Sequence, residues 1–303
     1  MPASLLTPFV YGVVALCWSG GWIASKLGVM AVPPLELSAI RFAIAGLLLL
    51  AIARFTGARL GTERLGLIAL SAAFGVFGYN AFVFVGLTMA PASDAGLIVP
   101  TLVPVLTAVL ATTVGERLTR EKLIGFVVSA IGVALVIVAG GTLTAGVSNE
   151  RLIGDLLQVA GAACWAVYGV IGTVTLRTGS PLGVVGLSAL MGSAMLFPLG
   201  FLEHGYADVP SWPAQAWLSI GYLVVFATVI GFVLFYWAVR RFGAGLGAMT
   251  SYLVPIGTLI LAALILGERA APLQLVGGAV ILLGVRIATR RRPATSAEAS
   301  AAA

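Results

Sequence analysis

From Leu5 onward the chain is a succession of apolar stretches, each about twenty residues long, with short turns between them that carry most of its charge. That length is what an α-helix needs to cross a hydrocarbon core ~30 Å thick at 1.5 Å rise per residue. Ten such spans can be read, at roughly 7–27, 34–55, 65–87, 92–114, 121–139, 152–176, 182–202, 214–239, 244–266 and 272–289. Composition argues the same way. Of 303 residues 60% are hydrophobic and 9% charged, against about 25% charged in a soluble domain. With no water in the bilayer core, every backbone polar group must be satisfied within its own segment. The expected fold class is therefore an all-α membrane protein with ten transmembrane helices.

Lys and Arg set the orientation. With the N-terminus in the cytoplasm, Arg54, Arg59, Arg64, Arg117, Arg120, Lys122, Arg177, Arg240, Arg241, Arg286, Arg290, Arg291 and Arg292 fall on the cytoplasmic side. The outer side then keeps Lys26, Arg151 and Arg269, with Arg41 in the outer part of the second span. Such asymmetry places both termini in the cytoplasm. It also explains the net charge of +6 without nucleic acid, since the basic residues are scattered between apolar segments. The first stretch lacks a basic leader and runs too long for a signal peptide, so no cleavable signal is expected. Residues 290–303 end in ATSAEASAAA and are expected to form a disordered tail.

The spans repeat. Cys17-Trp18 returns as Cys164-Trp165 and Pro34 as Pro181, each 147 residues on; Pro104 returns as Pro255 at 151. Gly115-Glu116-Arg117 returns as Gly267-Glu268-Arg269 at 152. Beyond it Leu123, Gly125, Val128, Gly132 and Val133 match Leu275, Gly277, Val280, Gly284 and Val285. Glycines seven apart lie on one helix face and let two helices approach closely. The repeats, 7–139 and 152–289, hold five spans each. Five is odd, so the second copy enters the membrane inverted, a plan found in many secondary transporters. Within the spans Pro100, Pro104, Pro198 and Pro255 predict kinks or breaks, and Pro104 and Pro255 are the candidate hinges. The two Gly-Glu-Arg words are expected to be helix-turn anchors on opposite faces of the membrane.

Ten spans, two five-helix halves and a Pro…Gly-Glu-Arg element in each half resemble the drug/metabolite transporter superfamily, of the EamA exporter type. Here the elements read PVLTAVLATTVGERLT from Pro104 and PIGTLILAALILGERAA from Pro255. The resemblance covers about residues 7–289. It implies a multi-pass inner-membrane exporter of small organic solutes, and bacterial aromatic amino-acid exporters are the nearest kind. The second element is one residue longer between Pro and Gly than the first.

The chain lacks the parts of an enzyme. Its one histidine, His204, falls in a loop. No HExxH, zinc-ligand pair or phosphate-binding loop is present, and no cofactor is expected. The two cysteines lie in apolar runs, so neither a disulfide nor a metal site is expected. A passive channel would show a polar stripe through the bundle, and none is evident. The partners expected are a small-molecule substrate and the lipid bilayer, with monomer and homodimer both open.

What the spans do offer is aromatics at helical spacing. Tyr11, Trp18 and Trp22 share one face of the first span, as Gln158, Trp165 and Tyr168 do on its repeat partner. Tyr79 and Asn80 lie in the third span, Tyr222, Phe226, Tyr236 and Trp237 in the eighth, and Ser251 and Tyr252 before Pro255 in the ninth. Tyr222 and Trp237 also suit a headgroup belt. For the deep tryptophans two readings stand: core packing, or the wall of a cavity at the repeat interface. The candidate wall residues are Trp18, Trp22, Tyr79, Asn80, Trp165, Tyr168, Ser251 and Tyr252, on spans one, three, six and nine, with spans four and eight completing the cavity. Lys26, Glu36, Arg41, Asp94 and Asp155 are charged within spans, all toward outer ends. They are read either as interfacial ion pairs or as a ring that meets polar substrate ends or carries protons.

Overall fold

The computed structural model describes residues 3–114, 119–142, 149–177, 179–242 and 244–288. Among them every regular element is helical. Helices α1 (Ala3–Ala31) and α2 (Pro34–Thr56) come first. The third rod is α3 (Leu65–Ser71), a π-helical segment (Ala72–Gly78) and α4 (Tyr79–Met89) end to end. Then follow α5 (Ala92–Leu110), α6 (Arg120–Thr142), α7 (Asn149–Thr175) and α8 (Pro181–Gly200). The eighth rod joins α9 (Ala214–Tyr222), a second π-helical segment (Leu223–Ile230) and α10 (Gly231–Phe242). The last two are α11 (Ala244–Leu261), continued by a third π-helical segment (Ala262–Leu266), and α12 (Pro272–Ala288).

Local chemistry sets several boundaries. Pro34 and Pro181 open α2 and α8, where a missing N–H costs nothing. Ser180 caps α8 by accepting from Gly183 N at 3.1 Å. Gly57 closes α2 at φ 65°, a conformation that favours glycine.

Among the described residues eight helices are long and apolar enough to cross a membrane, and Leu253–Leu266 and Pro272–Ile287 are shorter apolar helices. The outward faces stay apolar: Leu218 is 73% and Leu264 77% exposed. A helix that is greasy on its outer face as well as its inner one belongs in lipid.

Four prolines lie inside helices. No helix breaks at Pro100 or Pro104 in α5, Pro198 in α8 or Pro255 in α11. Three segments inside the rods are π-helical, and none of them contains a proline. A single missing N–H leaves its neighbours bonded, whereas a π turn widens the helix itself.

The helices pack closely. Helix α6 lies along α12, and α2 along α8. Helix α7 packs on α4 and α5, and α1 packs on α9, α10 and α11. At the α6–α12 contact a methyl added to Gly132 would lie 2.7 Å from Ile281 N, and one added to Gly277 would lie 2.9 Å from Gly132 O. The repeated glycines thus bring two backbones together across the repeat.

Gly267 of the second Gly-Glu-Arg ends its helix at φ 69°, and Glu268 then reaches another helix. Its carboxylate accepts from Ala92 N at 2.9 Å and Ser93 N at 2.8 Å, the free amides that open α5. The first Gly-Glu-Arg and the tail expected at 290–303 fall outside the described residues.

Candidate functional site

The helices enclose a cavity of about 650 Å³. On α5 its wall runs from Val99 to Thr107, about 10–22 Å along the helix from Ala92. Trp18, Trp22, Tyr79, Trp165 and Tyr168 line it, as does Pro104. Four helices expected from sequence, α1, α4, α5 and α7, supply most of this wall. The structure adds α2 and α8, through Arg41, Phe42, Val185 and Ser188.

The aromatic groups form one connected surface. Trp165 packs on Tyr79 at 4.6 Å between ring centroids and on Tyr168 at 5.0 Å. Phe232 links it onward, 6.3 Å from Trp165 and 5.9 Å from Trp18. Phe235 closes the other side of Trp18 at 5.2 Å. Tilted and edge-on contacts of this kind suit the ring quadrupoles. The first two π-helical segments contact this surface. Trp18 Nε1 donates to Ala227 O, inside the second segment, at 3.1 Å. The ring of Tyr168 lies against Gly75, inside the first, where any side chain would collide with it.

Not every expected residue reaches the wall. Asn80 stands behind it, fully buried, donating to Val76 O at 2.7 Å and accepting from Arg41. Tyr11 is buried against Ala238, and Gln158 donates to Val83 O at 3.2 Å. Ser251 and Tyr252 lie on α11, their side chains outside the described residues; Val254 of the same helix lines the cavity. On the eighth rod Phe232 and Phe235 face the cavity, while Phe226 and Trp237 are 45% and 44% exposed. Reading that rod at constant α pitch misses them, because the π segment shifts the face that follows it.

Arg41 is the main addition. It was grouped with the charges at helix ends, yet it lines the cavity and is only 8% exposed. One guanidinium nitrogen donates to Asn80 Oδ1 at 2.8 Å, and Nε is buried with no hydrogen-bond partner. Its centre lies 4.1 Å from the ring centroid of Phe42 and 5.0 Å from that of Phe84. No carboxylate among the described residues pairs with it. Charge placed mid-helix in a membrane costs about 2.5–3.5 kcal/mol, so it is retained where it has a task. A sequence signal was available. The residues three and four away, Leu37, Ser38, Ile44 and Ala45, offer no acid for a helical ion pair.

The other in-span charges tie helix ends together at one end of the bundle. Lys26 Nζ donates to Leu87 O at 2.6 Å and Ala90 O at 2.9 Å, the closing carbonyls of α4. Asp94 accepts from Arg151 Nε at 2.9 Å and from Gln274 Nε2 at 2.5 Å. Glu36 accepts from His204 N at 3.0 Å and Tyr206 N at 3.2 Å. In return Glu203 accepts from Leu35 N and Glu36 N, at 3.0 and 3.1 Å, at the start of α2. Burial holds the Glu203 carboxyl above the ordinary glutamate range, against the opposing pull of those two amides. Asp155 is fully buried, close beside the Asp94 carboxyl.

Apolar helices around a buried aromatic cavity define a multi-pass membrane protein with an internal site for a small molecule. The model of the EamA-like transporter family matches the chain twice, over residues 9–138 and 152–290. The chain belongs to that family. It is 31% identical over 291 residues to a probable terminal-alkyne amino-acid exporter of Streptantibioticus cattleyicolor, covering 95% of both chains. It is 29% identical over 261 residues to the uncharacterized Bacillus subtilis transporter YyaM, covering 84% of both. It is also 29% identical over 292 residues to a probable amino-acid metabolite efflux pump of Salmonella typhimurium, covering 92% of this chain and 93% of that one. A solved crystal structure superposes with a TM-score of 0.65 at 26% identity, covering 93% of this chain and 96% of that chain.

Proposed function

We propose that the protein is a secondary transporter that exports small organic solutes, foremost aromatic or hydrophobic amino acids and related metabolites, across the inner membrane. The observation that carries this is the aromatic-walled cavity of about 650 Å³ between the helices, within the range of roughly 300–1,000 Å³ usual for small-molecule sites. Trp18, Trp22, Tyr79, Trp165 and Tyr168 bind the substrate's body in this reading, with Ser251 and Tyr252 proposed as further contacts and Asn80 acting from behind the wall. The names of two relatives, an amino-acid exporter and an amino-acid metabolite efflux pump, support the substrate class.

The mechanism proposed is alternating access between two inverted halves of five helices, 7–139 and 152–289, with both termini cytoplasmic. The packing supports it. The α7 contacts with α4 and α5 have repeat counterparts in the α1 contacts with α9, α10 and α11. The π-helical segments of the third and eighth rods begin 151 residues apart, at the offset of Pro104 and Pro255. Pro104 and Pro255 would bend as the halves rock, with the ties at Lys26, Glu36, Asp94 and Glu268 closing the outer end.

Counterflow tests the proposal. Proteoliposomes loaded with unlabelled L-phenylalanine should accumulate external labelled L-phenylalanine transiently, faster than unloaded vesicles. A rapid ion leak without this exchange would mean a channel instead.

A further inference from the structure

We propose that Arg41 is the receptor for a carboxylate on the transported solute, so that the cavity selects molecules joining a carboxylate to an apolar or aromatic body. This rests on the transport reading and narrows it. Of the described residues lining the cavity, Arg41 alone carries a charge. It is more than nine-tenths buried, its Nε has no partner, and one nitrogen is held by Asn80 at 2.8 Å. The Asn80 side chain is itself fixed by its bond to Val76 O. The guanidinium is thus positioned by a neutral acceptor that leaves its charge uncompensated.

Phe42 and Phe84 border it and compete for none of its hydrogen bonds. Planar guanidinium matches a carboxylate with two parallel donors, and in an apolar surround such bonds are stronger than in water. Among the described residues the lining offers no carboxylate to receive an ammonium group. An α-amino group is left neutral partners, aromatic faces and hydroxyls such as those of Ser25 and Ser188, which hold it more weakly than a carboxylate would. It follows that the carboxylate, and not the ammonium, is the required polar feature.

The other charged groups do not serve this role. Lys26 is engaged by two carbonyls, and Arg151 is paired with Asp94 at 2.6 Å.

The test compares ligands that share one body. Binding to purified protein in detergent is measured by calorimetry for L-phenylalanine, 3-phenylpropionate, L-phenylalaninamide and 2-phenylethylamine. The first two carry the carboxylate; the last two lack it. In the unaltered protein the carboxylates should bind about 10- to 100-fold more tightly, the range expected for a charge-assisted pair. In Arg41→Gln that preference should fall to near one, and Arg41→Lys should restore part of it. Equal binding of L-phenylalaninamide and L-phenylalanine by the unaltered protein would overturn the role of Arg41, whether or not the variants fold. Counterflow of either compound would then leave the exporter reading standing. No binding and no counterflow of any of the four would overturn both.

Discussion

Trp165 lies against Tyr79 with ring centroids 4.6 Å apart, joining an aromatic residue from each half of the chain. From that pair the surface extends through Phe232 to Trp18. Replacing Trp165 with alanine removes the middle of the surface, including contacts worth about 0.5–1.5 kcal/mol per aromatic pair. Counterflow by Trp165→Ala should fall about tenfold or more, while Trp165→Phe keeps most of it. Size-exclusion profiles matching the unaltered protein would show that the loss lies in the site.

The glycine contact between α6 and α12 predicts a stability effect with no direct effect on binding. Gly132→Ala places a methyl 2.7 Å from Ile281 N, and overpacking of this kind costs about 1–3 kcal/mol. Thermal unfolding in detergent should show a lower midpoint for Gly132→Ala and for Gly277→Ala. The double variant should lose less than the sum, because one displacement of the helices relieves both clashes.

Glu268 caps α5 from a neighbouring helix end through the Ala92 and Ser93 amides. Losing a cap costs about 0.5–2 kcal/mol. Glu268→Ala should lower the unfolding midpoint, and amide exchange at Ala92 and Ser93 should quicken before exchange at the α5 centre does.

Glu203 gives a pH dependence outside the membrane spans. Its folded pKa lies above the ordinary value of about 4.3 because burial disfavours the charged form. Its contribution to stability is therefore full below that ordinary value and declines as pH rises through the folded one. Subtracting the Glu203→Gln melting curve from that of the unaltered protein, pH by pH, should leave a difference that falls over this window. A difference that rises instead would mean that the Leu35 and Glu36 amides outweigh burial.

Much of the molecule was legible because a membrane imposes few choices. Apolar runs of fixed length announce helices, and their ends were found closely: α2 spans Pro34–Thr56 where 34–55 was expected. The repeated glycines marked helix faces fit for close contact, and the structure brings two such faces together between α6 and α12. The deep aromatics Trp18, Trp22, Tyr79, Trp165 and Tyr168 were readable at helical spacing, and all line the cavity. Phe232 and Phe235 were not, because a period of 3.6 fails across a π-helical segment.

The sequence by itself determined the solvent this chain lives in, its helical class and its internal repetition, for these follow from composition, run length and periodicity. Only the tertiary structure decided which in-span charges are spoken for. Lys26, Arg41 and Asp94 look alike along the chain, each a costly charge among apolar neighbours. Lys26 finds the carbonyl end of α4, and Asp94 finds Arg151 and Gln274. Arg41 meets a neutral amide and two phenyl rings at the cavity wall. A charge is satisfied by whatever the fold brings to it from distant segments, and no local pattern carries that information.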